Sequence, residues 1–300
     1  MHIPDNFLSP PVWATLDIVS AAGFGVIARH ASRNMEDSRI PLLGVMGAFV
    51  FAAQMINFPV GLGTSGHLVG GALMAYSLGP SFATLTMTAI LAVQAFVFQD
   101  GGVLALGANV FNMAIAGVLA AWLPYQMWGR GRMRKAAVFG GAFLSVMVSA
   151  LLALTELLIS GVPMPAKMVA FSVALFAISS MIEGMITVAV LQAIERLNPG
   201  WVNKPESSPR SMLAALAGFA VLLAAAGFLL ASTAPDGIEH IVGATKSNYR
   251  APLADYQLPF WSSSWGRRAM AGLIGLILIF AVCALSGKIL ARRREAKCTT

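Results

Sequence analysis

Charged residues are scarce in this chain of 300 residues: they make up 11% of it, against 57% hydrophobic residues. Soluble globular domains carry about 25% charged residues, so this composition places the chain in a lipid bilayer. Cysteine is also scarce. Cys283 and Cys298 are too few and too badly placed for a disulfide framework. The sequence contains no Gly-x-x-x-x-Gly-Lys-[Ser/Thr] phosphate loop, which excludes the chain itself as the ATPase of a transport system.

The apolar residues are grouped in runs of roughly 17 to 25, long enough to cross ~30 Å of hydrocarbon as helices. Glycine occurs 29 times and lets such helices approach one another closely. We therefore predict an all-α polytopic membrane protein with about seven transmembrane helices in a binding module and two in an accessory module. The nine predicted spans are 12–28, 40–58, 67–79, 81–98, 103–125, 136–160, 167–194, 212–231 and 269–290. Whether the short, glycine-rich third segment crosses completely stays open.

Basic residues are concentrated in alternate connections between these spans. The clusters are Arg29, Arg33 and Arg39; Arg130, Arg132, Arg134 and Lys135; Arg196, Lys204 and Arg210; and Arg292, Arg293, Arg294 and Lys297. Under the positive-inside rule these connections are cytoplasmic, which puts the N-terminus outside and the C-terminus inside. The expected location is the inner (plasma) membrane. We expect no cleavable signal peptide, because residues 1–10 contain two prolines and an acid and lack a basic segment.

His2 directly follows the initiator methionine, and this position suggests metal binding. The Met1 amine, the His2 amide and the His2 imidazole Nδ1 can close two fused chelate rings around one ion. Three nitrogens in a plane favour a square-planar divalent ion such as nickel, copper or low-spin cobalt. Pro4 then fixes φ and stiffens the chain beyond the chelate. The alternative is that a histidine stands here by accident.

A second histidine, His67, is predicted on the same outer side as His2. It follows three glycines within residues 61–66, which allow a tight turn and a close approach of the backbone to the N-terminal segment. Such a histidine either is simply solvated or supplies a fourth nitrogen that completes the plane. His240 is a weaker candidate, and His30 lies among arginines predicted to be cytoplasmic, on the wrong side for capture from outside.

Three separated motifs carry a family resemblance: residues 1–8, the segment Gly66-His67-Leu68, and residues 94–112. Over about residues 1–200 the chain resembles the CbiM/NikM family, the cobalt/nickel substrate-binding components of energy-coupling-factor transporters. The family usually reads His-Ile-Pro-Asp-Gly, and Asn6 replaces that glycine here; asparagine tolerates positive φ better than most residues, so we expect the turn to survive.

The resemblance implies a metal site and a set of partners. The ligands would be the Met1 amine, the His2 amide, the His2 imidazole and the His67 imidazole. The implied partners are a transmembrane coupling protein (CbiQ/NikQ-like) and cytoplasmic ATPase subunits (CbiO/NikO-like), beside the lipid bilayer and without nucleic acid. No cofactor is expected; the metal, Co²⁺ or Ni²⁺, is the transported substrate.

Several polar side chains are predicted inside apolar spans, where an unpaired polar group is costly. The amides of Gln94, Asn109 and Asn112 either make ordinary hydrogen bonds between helices or orient the imidazoles and hold the N-terminal loop. Asn109 and Asn112 are three residues apart and so share a helix face. The intramembrane acids are expected to be paired within the bundle; they are Asp17, Glu156 and Glu183.

The composition changes after the seventh predicted span. Residues 201–211 are polar and proline-bearing and indicate a cytoplasmic linker between a metal-binding module at 1–200 and an accessory module at 212–300. The outer loop of the second module contains Pro235-Asp236-Gly237-Ile238-Glu239 and resembles the PDGLE-type (CbiN/NikN-like) subunit of these transporters. Its acids, Asp236, Glu239 and Asp255, either load the metal site or merely solvate the loop.

The sequence thus predicts capture and uptake of cobalt or nickel, driven by ATP hydrolysed on other subunits. A secondary metal transporter or channel with no ATPase is the alternative. An intramembrane metalloenzyme would need an open metal position beside a catalytic acid or base, and a closed plane of four nitrogens offers none. We therefore expect a protein that is not an enzyme. The ligand set by itself does not separate cobalt from nickel.

Overall fold

The structure is a computed structural model that describes residues 1–61, 64–199, 209–229, 231–232, 234, 236–242, 249–258 and 263–298. Helices dominate it. The α-helices are α1 (Pro10–Arg33), α2 (Ile40–Gln54), α3 (Gly71–Leu78), α4 (Pro80–Val93), α5 (Leu106–Asn109), α6 (Gly117–Trp128), α7 (Arg134–Ile159), α8 (Ala166–Leu197), α9 (Arg210–Ala226), α10 (Gly237–Val242) and α11 (Ser264–Cys298). Short 3₁₀ turns occupy Asp37–Arg39, Gly227–Leu229 and Ala254–Tyr256.

Two of these helices contain π-helical turns. Residues Gln94–Phe98 extend α4, and Val110–Ala116 join α5 to α6 into one continuous rod. The wider π turn rotates the side chains that follow it relative to an α-helix, and such turns are frequent at functional sites. Apolar periodicity did not predict either one. Both lie in the motif at residues 94–112.

Among the described residues, six helical stretches are long and apolar enough to cross a membrane. They are Pro10–Arg33, Pro80–Phe98, Leu106–Trp128, Arg134–Ile159, Ala166–Leu197 and Trp265–Arg294. This number confirms a multi-pass helical membrane protein. With eight residues, α3 extends about 12 Å at 1.5 Å per residue, so 67–79 does not cross as one straight helix. The count of nine spans and the orientation of the termini stay predictions.

The prediction of an all-α protein is wrong at one place. Strands β1 (Asn57–Gly61) and β2 (Thr64–His67) form an antiparallel hairpin, in which Asn57 pairs with His67 and Phe58 with Gly66. The sequence here is rich in glycine, which strands usually avoid, so we had predicted a turn. The hairpin forms because its two strands pair with each other and β2 is largely buried. The hairpin places His67 in the interior of the protein, where the side chain is buried.

Helix α2 lies at the centre of the described bundle, and all its residues except Pro41 and Ala53 are buried. Its glycines allow α11 to approach closely. A Cβ at Gly44 would lie 2.6 Å from the Phe280 ring, and one at Gly47 would lie 2.9 Å from Cys283 Sγ. The helices of the predicted accessory module therefore pack directly on the predicted metal-binding module. Of the predicted linker, residues 201–208 lie outside the described residues, and the module boundaries stay predictions.

Candidate metal site

The N-terminal segment is inserted into the protein. Relative exposure is 7% for Met1, 5% for His2 and 0% for Ile3. Ile3 N–H donates to Asn109 Oδ1 at 2.8 Å, Asn109 Nδ2 donates back to the Ile3 carbonyl at 3.1 Å, and Gly102 N–H donates to the same carbonyl at 2.9 Å. Ile3 is thus held at both its N–H and its carbonyl, which fixes the segment directly after His2.

The turn that follows this segment adopts the predicted conformation. Asn6 has φ = 72°, which confirms that asparagine accepts the positive φ here. Asp5 is buried, and its Oδ1 accepts the Leu104 N–H at 2.9 Å. The neighbouring loop approaches so closely that a Cβ at Gly102 would lie 2.6 Å from the Asp5 nitrogen. Only a residue without a side chain fits against the segment at this point.

His67 is the last residue of β2, and a side chain of α8 holds the backbone that follows it. Both carboxylate oxygens of Glu183 accept backbone N–H groups, from Val69 and Gly70, at 2.8 Å each. His67 Nδ1 lies 3.0 Å from the Leu68 carbonyl, and because that oxygen can only accept, Nδ1 carries the proton. The lone pair of His67 is therefore on Nε2, which faces the N-terminal amine.

The Met1 amine and the imidazoles of His2 and His67 lie close together. The Met1 nitrogen lies 2.9 Å from His67 Nε2. Adjacent corners of a square with metal–nitrogen bonds of ~2.0 Å are about 2.8 Å apart. The rings of His2 and His67 are inclined by 7° with centroids 5.3 Å apart, so they are nearly parallel. Within the described residues no group of three or more His, Cys, Asp or Glu side chains is placed to hold a metal ion.

Both ring nitrogens of His2 are buried and make no hydrogen bond of acceptable geometry. Buried imidazole nitrogens that make no hydrogen bond are of the kind that can bind a metal ion. Asp100 Oδ1 lies 3.0 Å from His2 Nδ1, and Asp100 Oδ2 accepts the Tyr256 hydroxyl at 2.5 Å. Burial by itself would raise the pKa of Asp100, but His2, His67 and the Tyr256 hydrogen bond outweigh burial and hold that pKa well below its usual range.

Burial and the charge of the Met1 amine lower the pKa of His67 to about 3. Its imidazole is therefore neutral at physiological pH, and the neutral ring is the form that binds metals.

Asp236 of the accessory loop reaches the same place. One carboxylate oxygen forms an ion pair with the Met1 amine and lies 4.0 Å from His67 Nε2; the other accepts the Ile238 N–H at 2.8 Å. The cavity between Met1, His67 and Asp236 measures about 10 Å³, too small for an ion with its hydration shell.

The accessory loop is attached to the hairpin by backbone contacts. Ser232 N–H donates to the Asn57 carbonyl at 2.7 Å, and Ser65 Oγ donates to the Ala234 carbonyl at 2.7 Å. Ser65 and Asp236 also form an isolated parallel bridge. This segment of the predicted accessory module therefore lies beside the strand that carries His67.

Among the remaining predicted site residues, Gln94 and Asn112 hydrogen-bond side chains other than the two histidines. Gln94 Nε2 donates to Gln54 Oε1 at 2.9 Å and lies 3.4 Å from the Tyr256 hydroxyl, while Asn112 Nδ2 donates to Glu156 Oε2 at 2.8 Å. Asp255 is exposed. The side chains of Glu239 and His240 lie outside the described residues. His30 is exposed on α1, away from the site.

The predicted pairing of the intramembrane acids is confirmed. Glu156 accepts from Asn112, Glu183 from Val69 and Gly70, and Asp17 Oδ1 accepts the Gly107 N–H at 2.8 Å. Sequence reasoning missed Asp100 as the neighbour of His2 and Tyr256 as the hydrogen-bond partner of Asp100. The acid directly before Gly101 and Gly102 was a usable signal for Asp100. No sequence signal links Tyr256 to a residue 156 positions away.

Comparison with known proteins identifies the class to which this site belongs. The chain belongs to the family described as "Cobalt uptake substrate-specific transmembrane region" (CbiM), whose profile matches residues 2–201. The predicted membership of the CbiM/NikM family, fused to a NikN-like module, is thereby confirmed. This is a family of cobalt and nickel transport proteins, so the expectation that the chain is not an enzyme is confirmed as well.

Relatives support the family over the whole chain. A protein of Archaeoglobus fulgidus, provisionally named as a fused nickel transport protein, NikMN, is 32% identical over 94% of this chain and 96% of its own length. One from Methanocorpusculum labreanum, provisionally named as a fused cobalt transport protein, CbiMQ, is 37% identical over 42% of this chain and 21% of its own. The crystal structure of a truncated transition metal transporter superimposes with a TM-score of 0.58, at 29% identity, over 66% of this chain and 99% of its own.

Proposed function

We propose that this protein captures Co²⁺ or Ni²⁺ from outside the inner membrane as the substrate-binding component of an energy-coupling-factor transporter. The ion is held in a plane by the Met1 amine, the His2 amide, the His2 Nδ1 and the His67 Nε2. Transport is driven by ATP hydrolysed on separate subunits. The name of the Methanocorpusculum relative, which joins the M and Q components in one chain, supports a CbiQ/NikQ-like coupling protein as direct partner, with CbiO/NikO-like ATPases behind it.

The observation that supports this ligand set most strongly is the placement of the Met1 amine. It lies 2.9 Å from a neutral imidazole nitrogen, beside a second, nearly parallel imidazole whose ring nitrogens are buried and whose Nδ1 lies 3.0 Å from Asp100 Oδ1. In a planar chelate the amine and amide release protons as the metal binds, so binding is proton-coupled. Asn109 supports the plane through its two hydrogen bonds to Ile3, whereas Gln94 and Asn112 support it only through the surrounding helices.

The accessory loop is proposed to load this site. Asp236 forms an ion pair with the Met1 amine. A carboxylate at this position can attract a divalent cation and pass it on to the nitrogen ligands. Because the cavity beside the amine is small, we propose that the Asp236 segment moves away from the amine as metal is loaded. Glu239 and Asp255 add negative charge to the same loop.

The ligand role of the Met1 amine can be tested by adding one glycine before Met1, with retention of that residue verified by mass spectrometry. Extension moves the amine off the chelate, so we expect the affinity for Co²⁺ and Ni²⁺ in calorimetry to fall at least a hundredfold. A glycine added after Thr300 is the control. Full affinity of the N-terminally extended protein would contradict the ligand set.

Substitution of the histidines tests the fourth ligand. His67→Ala should weaken binding by orders of magnitude, since each ~1.4 kcal/mol lost is tenfold in affinity. His30→Ala, at an exposed position on α1, should leave binding unchanged. Equal losses in the two variants would exclude His67 as a specific ligand.

The alternative, a secondary transporter, is separated by energy dependence. Uptake is measured in cells that make this protein with its coupling protein and an ATPase whose Walker lysines are replaced. Loss of uptake with metal binding retained supports the proposal. Undiminished uptake would show that no ATPase is needed.

A further inference from the structure

A cavity of about 280 Å³ lies between the N-terminal end of α7 and the C-terminal part of α8. Its lining includes none of the residues of the candidate metal site. Arg132, Arg134 and Lys135 line it from α7 and the turn before it, and Glu195 lines it from α8. Arg134 pairs with Glu195 at 2.5 Å. Three cations therefore face one anion, which leaves the lining with an excess of positive charge.

The polarity of the cavity changes with depth in the same direction on both helices. On α7, Val138 lies one turn deeper than Arg134. On α8, Val188 and Leu191 lie deeper than Gln192 and Glu195, because the helix runs outward towards Leu197. The residues from α8 recur at i, i+3, i+4 and i+7, which places them on one face. The cavity is thus basic at the helix ends and apolar towards the middle of the bilayer.

The surroundings place this opening at the boundary between hydrocarbon and water. At the adjoining end of α6, Trp128 is 50% exposed and Met127 is more exposed still, as is Met133 in the turn before α7. Exposed tryptophan is enriched at that boundary. A basic pocket between two transmembrane helices, apolar on its inner side, matches a ligand with an anionic phosphate head and an apolar body.

We propose that this cavity binds the phosphate-bearing headgroup of an anionic phospholipid, with Arg132 and Lys135 contacting the phosphate and Val138, Val188 and Leu191 contacting the glycerol and upper acyl chains. Arg134 is held by Glu195 and shapes the wall. The inference is independent of the metal site, so its failure leaves the proposed function intact.

The full-length protein in detergent is titrated with phosphatidylglycerol, and lipid adducts are counted by native mass spectrometry. The test variant is Arg132→Gln/Lys135→Gln. The control is Arg29→Gln/Arg33→Gln, which removes two basic residues at the end of α1, outside the cavity lining. We expect at least a tenfold loss of phosphatidylglycerol binding in the test variant alone, and little binding of phosphatidylcholine to any variant.

Other outcomes would overturn the lipid site. Equal losses in both double variants would indicate general charge attraction. Displacement of phosphatidylglycerol by equimolar inorganic phosphate would show a site for free phosphate. Unchanged lipid binding in the test variant, with loss of co-purification of the coupling protein, would show that this face binds protein. Val188→Asp provides a second measurement, because it should reduce phosphatidylglycerol binding while every cation remains.

Discussion

Asn109 and Asn112 are three residues apart, yet their side chains do different things. Asn109 makes two hydrogen bonds to Ile3, whereas Asn112 bonds Glu156 on α7. The π turn begins between them, at Val110, so the shared helix face expected from an ideal α-helix does not lead to shared partners. The sequence indicated that both amides are buried but could not indicate what each one binds.

This difference leads to opposite expectations for the two alanine variants. Asn109→Ala removes two hydrogen bonds of about 1 kcal/mol each, so we expect metal affinity to fall about thirtyfold. Asn112→Ala leaves the Glu156 carboxylate without its amide partner and should lower thermal stability with little change in affinity. Calorimetric titration and thermal unfolding in one detergent measure both quantities. Comparable affinity losses would show that the Asn109–Ile3 bonds do not position the ligands.

At the scale of elements, the N-terminal segment lies against the loop that follows the π turn Gln94–Phe98; we call residues 99–102 its seat. The π turn Gln94–Phe98 is followed by Gln99, which has φ = 59°, and then by Gly101, which has φ = 96°. Leu253 N–H donates to the Val97 carbonyl at 2.9 Å, and Tyr249 hydroxyl donates to the Phe96 carbonyl at 2.7 Å. One short stretch therefore contacts both the N-terminal segment and the accessory loop.

Gly102→Ala should disturb this seat without unfolding the protein. The new Cβ would lie 2.6 Å from the Asp5 nitrogen and 2.8 Å from the Pro4 carbonyl carbon, so the segment must shift by several tenths of an ångström. We expect metal affinity to fall at least tenfold. Gly140→Ala, where no atom lies within 4 Å of the new Cβ, is the matched control. Unchanged affinity in Gly102→Ala would mean that the ligands tolerate displacement of the segment.

Whether an element could be predicted from the sequence depends on the kind of sequence pattern that encodes it. Long apolar runs predicted most helices, and His2 and His67 were found because chelate chemistry depends on residue type and position alone. The β1–β2 hairpin was missed because its glycines resemble a turn. The π turns and the Asp100–Tyr256 hydrogen bond depend on tertiary packing, which local periodicity does not encode.

At the scale of the whole molecule, the predicted accessory module touches the site at two points, Asp236 on the Met1 amine and Tyr256 on Asp100. Burial and the charge of Asp100 raise the pKa of Tyr256 well above its usual value, so its hydroxyl remains a donor at any physiological pH. Asp236 also lies 4.0 Å from His67 Nε2, and Asp100 lies 3.0 Å from His2 Nδ1, so the accessory loop is next to the surroundings of both histidines.

Neutralising the loop acids one at a time tests loading. Asp236→Asn should slow initial uptake of radioactive cobalt or nickel several-fold, because its carboxylate lies on the amine. Asp255→Asn should have less effect, because an exposed charge is screened by salt. Initial rates at low ionic strength and equilibrium binding are measured on the same variants. Equal slowing by the two substitutions would point to long-range attraction by the loop rather than a local transfer at Asp236.

The close packing of α11 against Gly44 and Gly47 has a consequence for how such chains diverge. A larger residue at either glycine collides with Phe280 or Cys283, so an acceptable change on α2 requires a matching reduction on α11. Over generations the two helices should accumulate substitutions in compensating pairs. Grafting the last ninety residues of a distant relative onto this N-terminal part would then produce an ill-fitting hybrid, unless its α2 were transplanted as well.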